Sequence, residues 1–262
     1  MIHESVKVHP SAVIEGNVSI GAGSTVGPFT YISGDVTIGE NNEIMSHVVI
    51  KGRTIMGDDN KIFPFAVVGE DCQDKKYAGE DTLLEIGSRN VIRESVQMHR
   101  GTTQDNSITK VGNDNLFCVN AHIAHDCVVG DNVILGNNAT LAGHVTVEDY
   151  VILTALVPVH QFCTLGAHSF IAGGSIVVQD VPPFVMAHGN HAKPVGINVE
   201  GLKRRGFEKA EIMAIRRAYK TLYRKGLKLD EAKQEIAIEA KAYPAVAKFL
   251  ANLSNSQRGI IR

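Results

Sequence analysis

Apolar residues recur along this chain at every sixth position. From Ile2 the series runs through Val8, Ile14, Ile20, Val26, Ile32, Ile38, Ile44, Ile50, Met56 and Ile62 to Val68. It resumes in the same register at Ile86, Ile92 and Met98. One residue out of step, it then runs from Val111 through Phe117, Ile123, Val129, Leu135, Leu141, Val147, Leu153, Val159, Leu165 and Ile171 to Val177. With 44% of the chain hydrophobic, twelve successive matches in a given frame would arise by chance only about 5 times in 100,000, so the repeat reports structure.

A six-residue period cannot be one face of an α-helix, because six steps of roughly 100° scatter the apolar residues in three directions. In a strand of period two, positions six apart share a face. Positions two before each apolar residue should then also point inward, and they are small or β-branched: Val18, Ser24, Thr30 and Val36 early, Cys127, Val133, Ala139, Val145, Val151, Val157 and Cys163 later. Glycines such as Gly21, Gly39, Gly130 and Gly136 follow many of the apolar residues. Short strands, sharp turns and self-similar stacking describe a parallel β-helix.

Two polar segments, 69–85 (GEDCQDKKYAGEDTLLE) and 101–109 (GTTQDNSIT), interrupt the hexads and are expected as excursion loops leaving the solenoid wall. The pattern ends near Pro182 and Pro183. The predicted division is a solenoid over 1–187 and a C-terminal segment with a helical domain over 188–262. From Glu208, Ile212, Ile215, Ala218, Tyr219 and Leu222 fall at helical spacing with Gly226 as a stop; LDEAKQEIAIEAKA predicts a second helix ending before Pro244, and 244–254 a third. Such a tail would cover the last strand edge, which otherwise invites aggregation.

Composition narrows the field modestly. A formal charge of −2 argues against bulk binding to nucleic acid or anionic membrane. No segment resembles a signal peptide or an apolar membrane span, so the chain is expected to be cytoplasmic, with no integral membrane segment. The four cysteines include Cys127 and Cys163 at equivalent inward positions and no CxxC pair, and read as reduced, structural thiols. Three hexads make one triangular coil, so residues three hexads apart stack at about 4.8 Å. His125, Gly143 and Gln161 share such a line, with His144 and His160 one residue off it. His122, His125, His144 and His160 all fall outside the inward positions. A basic imidazole beside an exposed glycine N–H suits acyl transfer, which needs a proton acceptor and a donor for the carbonyl oxyanion.

The stretches NAHIAHDCVVG (120–130), NNATLAGHV (137–145), VHQFC (159–163), QDVPPFV (179–185) and GNHAKPVGINVEGLKRRGF (189–207) closely resemble the bacterial UDP-N-acetylglucosamine O-acyltransferases that begin lipid A biosynthesis. The resemblance spans essentially the whole chain. It implies a left-handed parallel β-helix with a C-terminal helical domain, although handedness is not readable from the period. It further implies a homotrimer with clefts between subunits, no cofactor and no metal, and transfer of an (R)-3-hydroxyacyl group from acyl carrier protein to the 3-hydroxyl of UDP-N-acetylglucosamine.

Residue roles follow from the same resemblance. His125 is implied as general base, Asp126 as its partner carboxylate and Gly143 as the oxyanion-hole N–H. In a regular strand Asp126 would point away from His125, so its role depends on the turn. Asp74 and Lys76 match sugar-nucleotide contacts, with His122, His144, His160 and Gln161 around the reacting groups. Asn198, Glu200, Arg204 and Arg205 match nucleotide-binding positions, and an Arg fork suits a diphosphate. Gly173 matches the position that limits acyl length, while Gly173 and Gly174 also suit a simple turn. Arg216, Arg217 and Lys220 are expected to meet the acidic carrier. The rival classes are a zinc lyase using His122, His125 and His144, a transferase for another acceptor, and a noncatalytic solenoid.

Overall fold

The computed structural model describes residues 1–262 and winds them as a left-handed parallel β-helix of hexapeptide repeats, followed by a helical C-terminal domain. The coil is a three-walled prism. One wall stacks two-residue strands in parallel from Lys7–Val8 to Phe170–Ile171. The other two begin as eight-residue strands, Val13–Ile20, Tyr31–Ile38 and Val49–Met56, that turn a corner at Gly16, Gly34 and Gly52. Gly16 takes φ +86°, and a Cβ there would stand 2.6 Å from the Gly34 carbonyl oxygen, so stacked backbones leave no room for a side chain.

The hexad residues line the interior as the period requires. Ile32, Ile50, Val68, Met98, Ile123 and Leu141 are fully buried on one wall, and Ile62, Ile92, Phe117, Leu135 and Leu153 on another. Each such side chain contributes about 1.5–3 kcal/mol of burial. The first two members of the series differ: Ile2 and Val8 are 42% and 39% exposed. They sit in the terminal coil, with no coil beneath to cover them.

The first excursion leaves between Val67–Glu70 and Leu83–Ile86, the second between Gln97–His99 and Ile108–Val111. Both therefore emerge at one corner, above Gly52 and below the turn at His125. The strand ladder extends into the polar segments, because residues 70, 83–85 and 108–109 still pair.

Beyond the last full coil, Val185–His188 adds in parallel to Phe170–Ile171 and Lys193–Ile197 folds back antiparallel on it. The proline-rich region thus carries a hairpin, with Pro194 at a register irregularity where a missing N–H is tolerated. Four helices follow: α1 (Val199–Arg204), α2 (Lys209–Arg224), α3 (Leu229–Ala240) and α4 (Pro244–Asn255). The three longer ones match the periodic segments, whereas α1 is too short to show a period. Helix α2 packs on strand Lys193–Ile197, and Ile260 bridges Asp180, so the tail closes over the end of the solenoid.

Candidate active site

The site forms on the corner shared by both excursions. Strands His122–Ile123 and Val128–Val129 are joined by a turn in which Asp126 adopts φ +58°. This left-handed step, which Asp accepts more readily than most residues, brings adjacent side chains to the same side. His125 Nδ1 consequently donates to Asp126 Oδ2 at 2.8 Å. A carboxylate only accepts, so Nδ1 carries a proton, and in the neutral tautomer this leaves Nε2 as the acceptor. Burial alone would raise the Asp126 carboxyl pKa, but hydrogen bonds from His125 and Thr102 outweigh it and hold it below the usual range.

Gly143 lies one coil above. A Cβ on it would fall 2.5 Å from His125 Cε1 and 2.6 Å from Nε2, so only glycine lets the imidazole occupy this position. The Gly143 N–H donates to no acceptor within the chain. On another corner the equivalent N–H groups are capped by a side-chain ladder, Asn113 N to Asp131 Oδ1 at 2.7 Å and Asp131 N to Asp149 Oδ1 at 2.9 Å. The corner at Gly143 has no such cap, which leaves a donor beside the base.

The His125 ring opens into a cavity of about 560 Å³ bounded by Asp74, His99, His122, Ala142 and Gln161. Burial, then the neighbouring His99, pushes the His122 pKa down to about 4, so His122 is neutral. The first excursion reaches this cavity through Gln73, Asp74 and Lys75. Lys76 turns instead toward the second excursion, where its Nζ stands 3.4 Å from Gln104 Oε1, and Asp74 accepts from the Lys76 N–H at 2.9 Å. A groove of about 610 Å³ near Lys7, Val26 and Ile44 holds no base–carboxylate pair.

His144, also left-handed at φ +62°, stacks on Phe162 with centroids 4.4 Å apart and stands edge-on to His125 at 5.0 Å. His122 packs against His99 instead, 5.1 Å between ring centres. The three histidines of the zinc-lyase reading therefore do not converge; the group with ligand atoms mutually within 4.8 Å is His125, Asp126 and His144. His160 is exposed, its Nδ1 3.2 Å from Arg258 of the C-terminal strap.

The family model for UDP-N-acetylglucosamine O-acyltransferase domain 2 matches residues 180–261, and that for the bacterial transferase hexapeptide matches 1–34 and 108–143. The chain is 72% identical, over its full length and all of the relative's, to an acyl-[acyl-carrier-protein]--UDP-N-acetylglucosamine O-acyltransferase of Aliivibrio fischeri. It belongs to the UDP-N-acetylglucosamine O-acyltransferase family. A relative of the same name from Vibrio parahaemolyticus is 60% identical over the whole of both chains. Among solved structures, the UDP-N-acetylglucosamine acyltransferase of Francisella novicida superposes with TM-score 0.89 at 42% identity, covering 100% of this chain and 94% of the other. The Arabidopsis enzyme does so with TM-score 0.88 at 37% identity, covering all of both.

The expected site residues fall into two groups, one at the His125 cavity and one around α1. Asn198, Glu200, Arg204 and Arg205 lie on and around α1, at the corner of Tyr150 and His168. The Arg205 guanidinium stacks 4.1 Å from the Tyr150 ring centre. Asn198 caps α1, accepting from Gly201 N at 3.1 Å and donating to the His168 carbonyl at 3.0 Å, so its amide is committed to the fold. Glu200 pairs with Lys203 at 2.9 Å, leaving Arg204 exposed without an ion-pair partner. Gly173 lies at the third corner, where Gly174 rather than Gly173 carries the positive φ, +69°.

Sequence reasoning missed His99, Thr102, Asp105 and Thr109. His99 lines the cavity, with Nδ1 on the Asp71 carbonyl at 2.7 Å. The other three sit in or beside a polar loop whose composition signals only a loop. Their proximity to Asp126 follows from the coil stacking, and the hexad register alone would have placed the loop near that corner.

Proposed function

We propose that this chain transfers an (R)-3-hydroxyacyl group from acyl carrier protein to the 3-hydroxyl of UDP-N-acetylglucosamine, the first step of lipid A biosynthesis. One observation carries this reading: the His125 imidazole, held through Nδ1 by Asp126, lines the cavity beside Gly143, whose N–H is uncapped. The sugar hydroxyl gives its proton to Nε2 as its oxygen attacks the thioester carbonyl, and Asp126 stabilises the resulting imidazolium. The Gly143 N–H receives the carbonyl oxyanion. When the C–S bond breaks, the departing thiolate takes the proton back from His125.

The α1 group and the His125 cavity occupy different corners, which supports a homotrimer in which α1 of one subunit closes the cavity of the next. Arg204 and Arg205 would then meet the diphosphate, and Gly173 would lie along the acyl path. On α2, Arg216 and Lys220 are exposed and suited to an acidic carrier, whereas Arg217 is bound to Glu239. No helix is long and apolar enough to cross a membrane, and a cytoplasmic location fits a reaction between two soluble substrates.

Incubation with UDP-N-acetylglucosamine and a panel of hydroxyacyl carriers, read by mass spectrometry, should yield the 3-O-acyl sugar nucleotide. His125→Ala should lower turnover by about 10² to 10⁴ without unfolding the protein, because the ring faces outward and fills no core position. A folded His125→Ala protein that keeps more than half its activity would remove His125 from the reaction.

A further inference from the structure

The second excursion grips the base–carboxylate pair more closely than its polar composition suggests. Thr102 donates twice to the same carboxylate, from its N–H to Asp126 Oδ1 at 2.9 Å and from Oγ1 to Oδ2 at 2.6 Å. At the other end of the loop, Thr109 Oγ1 accepts the Asp126 N–H at 2.8 Å. The loop is pinched shut where these threonines emerge: a Cβ on Gly101 would stand 2.2 Å from Ile108 N, and Ser107 N donates to the Thr102 carbonyl at 3.1 Å. The Asp126 side chain is 1% exposed, so water does not replace these donors.

The carboxylate also has a competing partner. His144 Nε2 lies 3.9 Å from the same Oδ2 that accepts from His125, and Asp105, midway along the loop, holds the His144 ring by accepting from its Nδ1 at 2.9 Å. A carboxylate free to rotate about its Cβ–Cγ bond could turn Oδ2 from one imidazole toward the other. Both Asp126 oxygens are anchored by a single residue, and that anchoring selects the rotamer facing His125.

We infer that Thr102 is a positioning residue for the acyl-transfer reaction, fixing the Asp126 carboxylate on His125 and away from His144. The inference rests on the reading of His125 as the base. Thr102 touches neither the cavity nor any expected substrate group, so its effect belongs in the chemical step rather than in substrate binding.

Thr102→Val keeps the side-chain volume and removes the hydroxyl donor. We expect kcat to fall about ten- to a hundredfold, by analogy with the loss of outer-shell hydrogen bonds that orient metal ligands, with KM for UDP-N-acetylglucosamine unchanged. Thr102→Ser should restore most of the rate. In an Asp126→Ala background the Val substitution should cost less than twofold, since there is no carboxylate left to hold. A Val variant within twofold of the parent kcat, measured beside an inactive His125→Ala protein, would overturn the positioning role and leave the proposed reaction standing. Equal losses in the Val and Ser variants together with a lowered unfolding midpoint would also overturn it, since Thr102 would then only close the loop. Retained activity in His125→Ala would instead overturn the reading on which the inference rests.

Discussion

At the scale of single residues, left-handed corner positions decide where the chemistry sits. Non-glycine residues in this conformation cost about 1 kcal/mol or more, least for Asn and Asp, yet this chain places His144, Tyr150, Leu156, Phe162 and His168 there. His144 and Phe162 stand at the His125 corner and Tyr150 and His168 at the α1 corner, while Phe29, His47 and Phe65 stack on one another away from both. Half-buried imidazoles, His168 at one of these corners and His122 on the strand before another, also make stability depend on pH. Burial, then Arg205 and Lys248, lowers the His168 pKa to about 4, and His122 is lowered to about 4 as well. Because both histidines bind protons more weakly in the folded than in the unfolded chain, stability is fully present above about 6.5 and declines as pH falls toward 4. The unfolding midpoint should drop across that window and drop less in His168→Phe, whose ring keeps the stack between Tyr150 and Phe184; identical pH slopes would count against His168 as a contributor. Gly173→Met gives a second residue-scale expectation. Gly173 has no positive φ, and a Cβ there would meet Ala155 O at 3.3 Å and Thr154 Oγ1 at 3.4 Å, tight contacts that a shift of a few tenths of an ångström would relieve. If this corner bounds the acyl groove, the variant loses activity on longer chains, each excluded methylene forfeiting about 0.8 kcal/mol, and keeps it on shorter ones. An equal loss on all chain lengths would make it a turn residue only.

At the scale of elements, the hexad fixed the walls legibly because each apolar residue has one inward direction and a copy of itself above and below. The turns carried information that a period cannot express. Asn42, Asn60, Asn90 and Asn115 fall two before Ile44, Ile62, Ile92 and Phe117, at the inward position, but the period says nothing of their bonding, and they form a buried ladder: Asn60 Oδ1 accepts from Asn90 N and Nδ2, while Asn60 Nδ2 reaches Asn42 Oδ1, Gly57 O and Gly87 O, all within 3.1 Å. The hairpin of Val185–His188 and Lys193–Ile197 was hidden by its prolines, and α1 by its six-residue length and central Gly201. Asn60→Ala should lower stability by about 2–4 kcal/mol, because several buried donors and acceptors lose partners at once and each costs about 1–3 kcal/mol unmet. Chemical denaturation would measure it, and a change under 1 kcal/mol would show that water fills the gap.

At the scale of the whole molecule, one chain carries both halves of the proposed site but on different corners of the prism, His125 with Asp126 on one and α1 with Arg204 on another. The candidate base was legible because three hexads stack Gly143 over His125; the α1 group was assignable only by resemblance, since no period relates residue 125 to residue 204. If α1 of one subunit closes the cavity of the next, two individually inactive variants should rescue each other. A His125→Ala subunit still offers an intact α1, and an Arg204→Ala subunit still offers an intact base. In trimers assembled by co-expression at equal amounts, a site is whole when an Arg204→Ala subunit supplies the base and a His125→Ala subunit supplies the arginine, which random mixing achieves in about a quarter of sites. Activity near that fraction of the parent is therefore expected from the mixture, with each variant alone giving almost none. Had both groups come from the same chain, every site in the mixture would carry one defect and no activity would return, and that result would sink the shared-site arrangement while leaving the chemistry at His125 untouched.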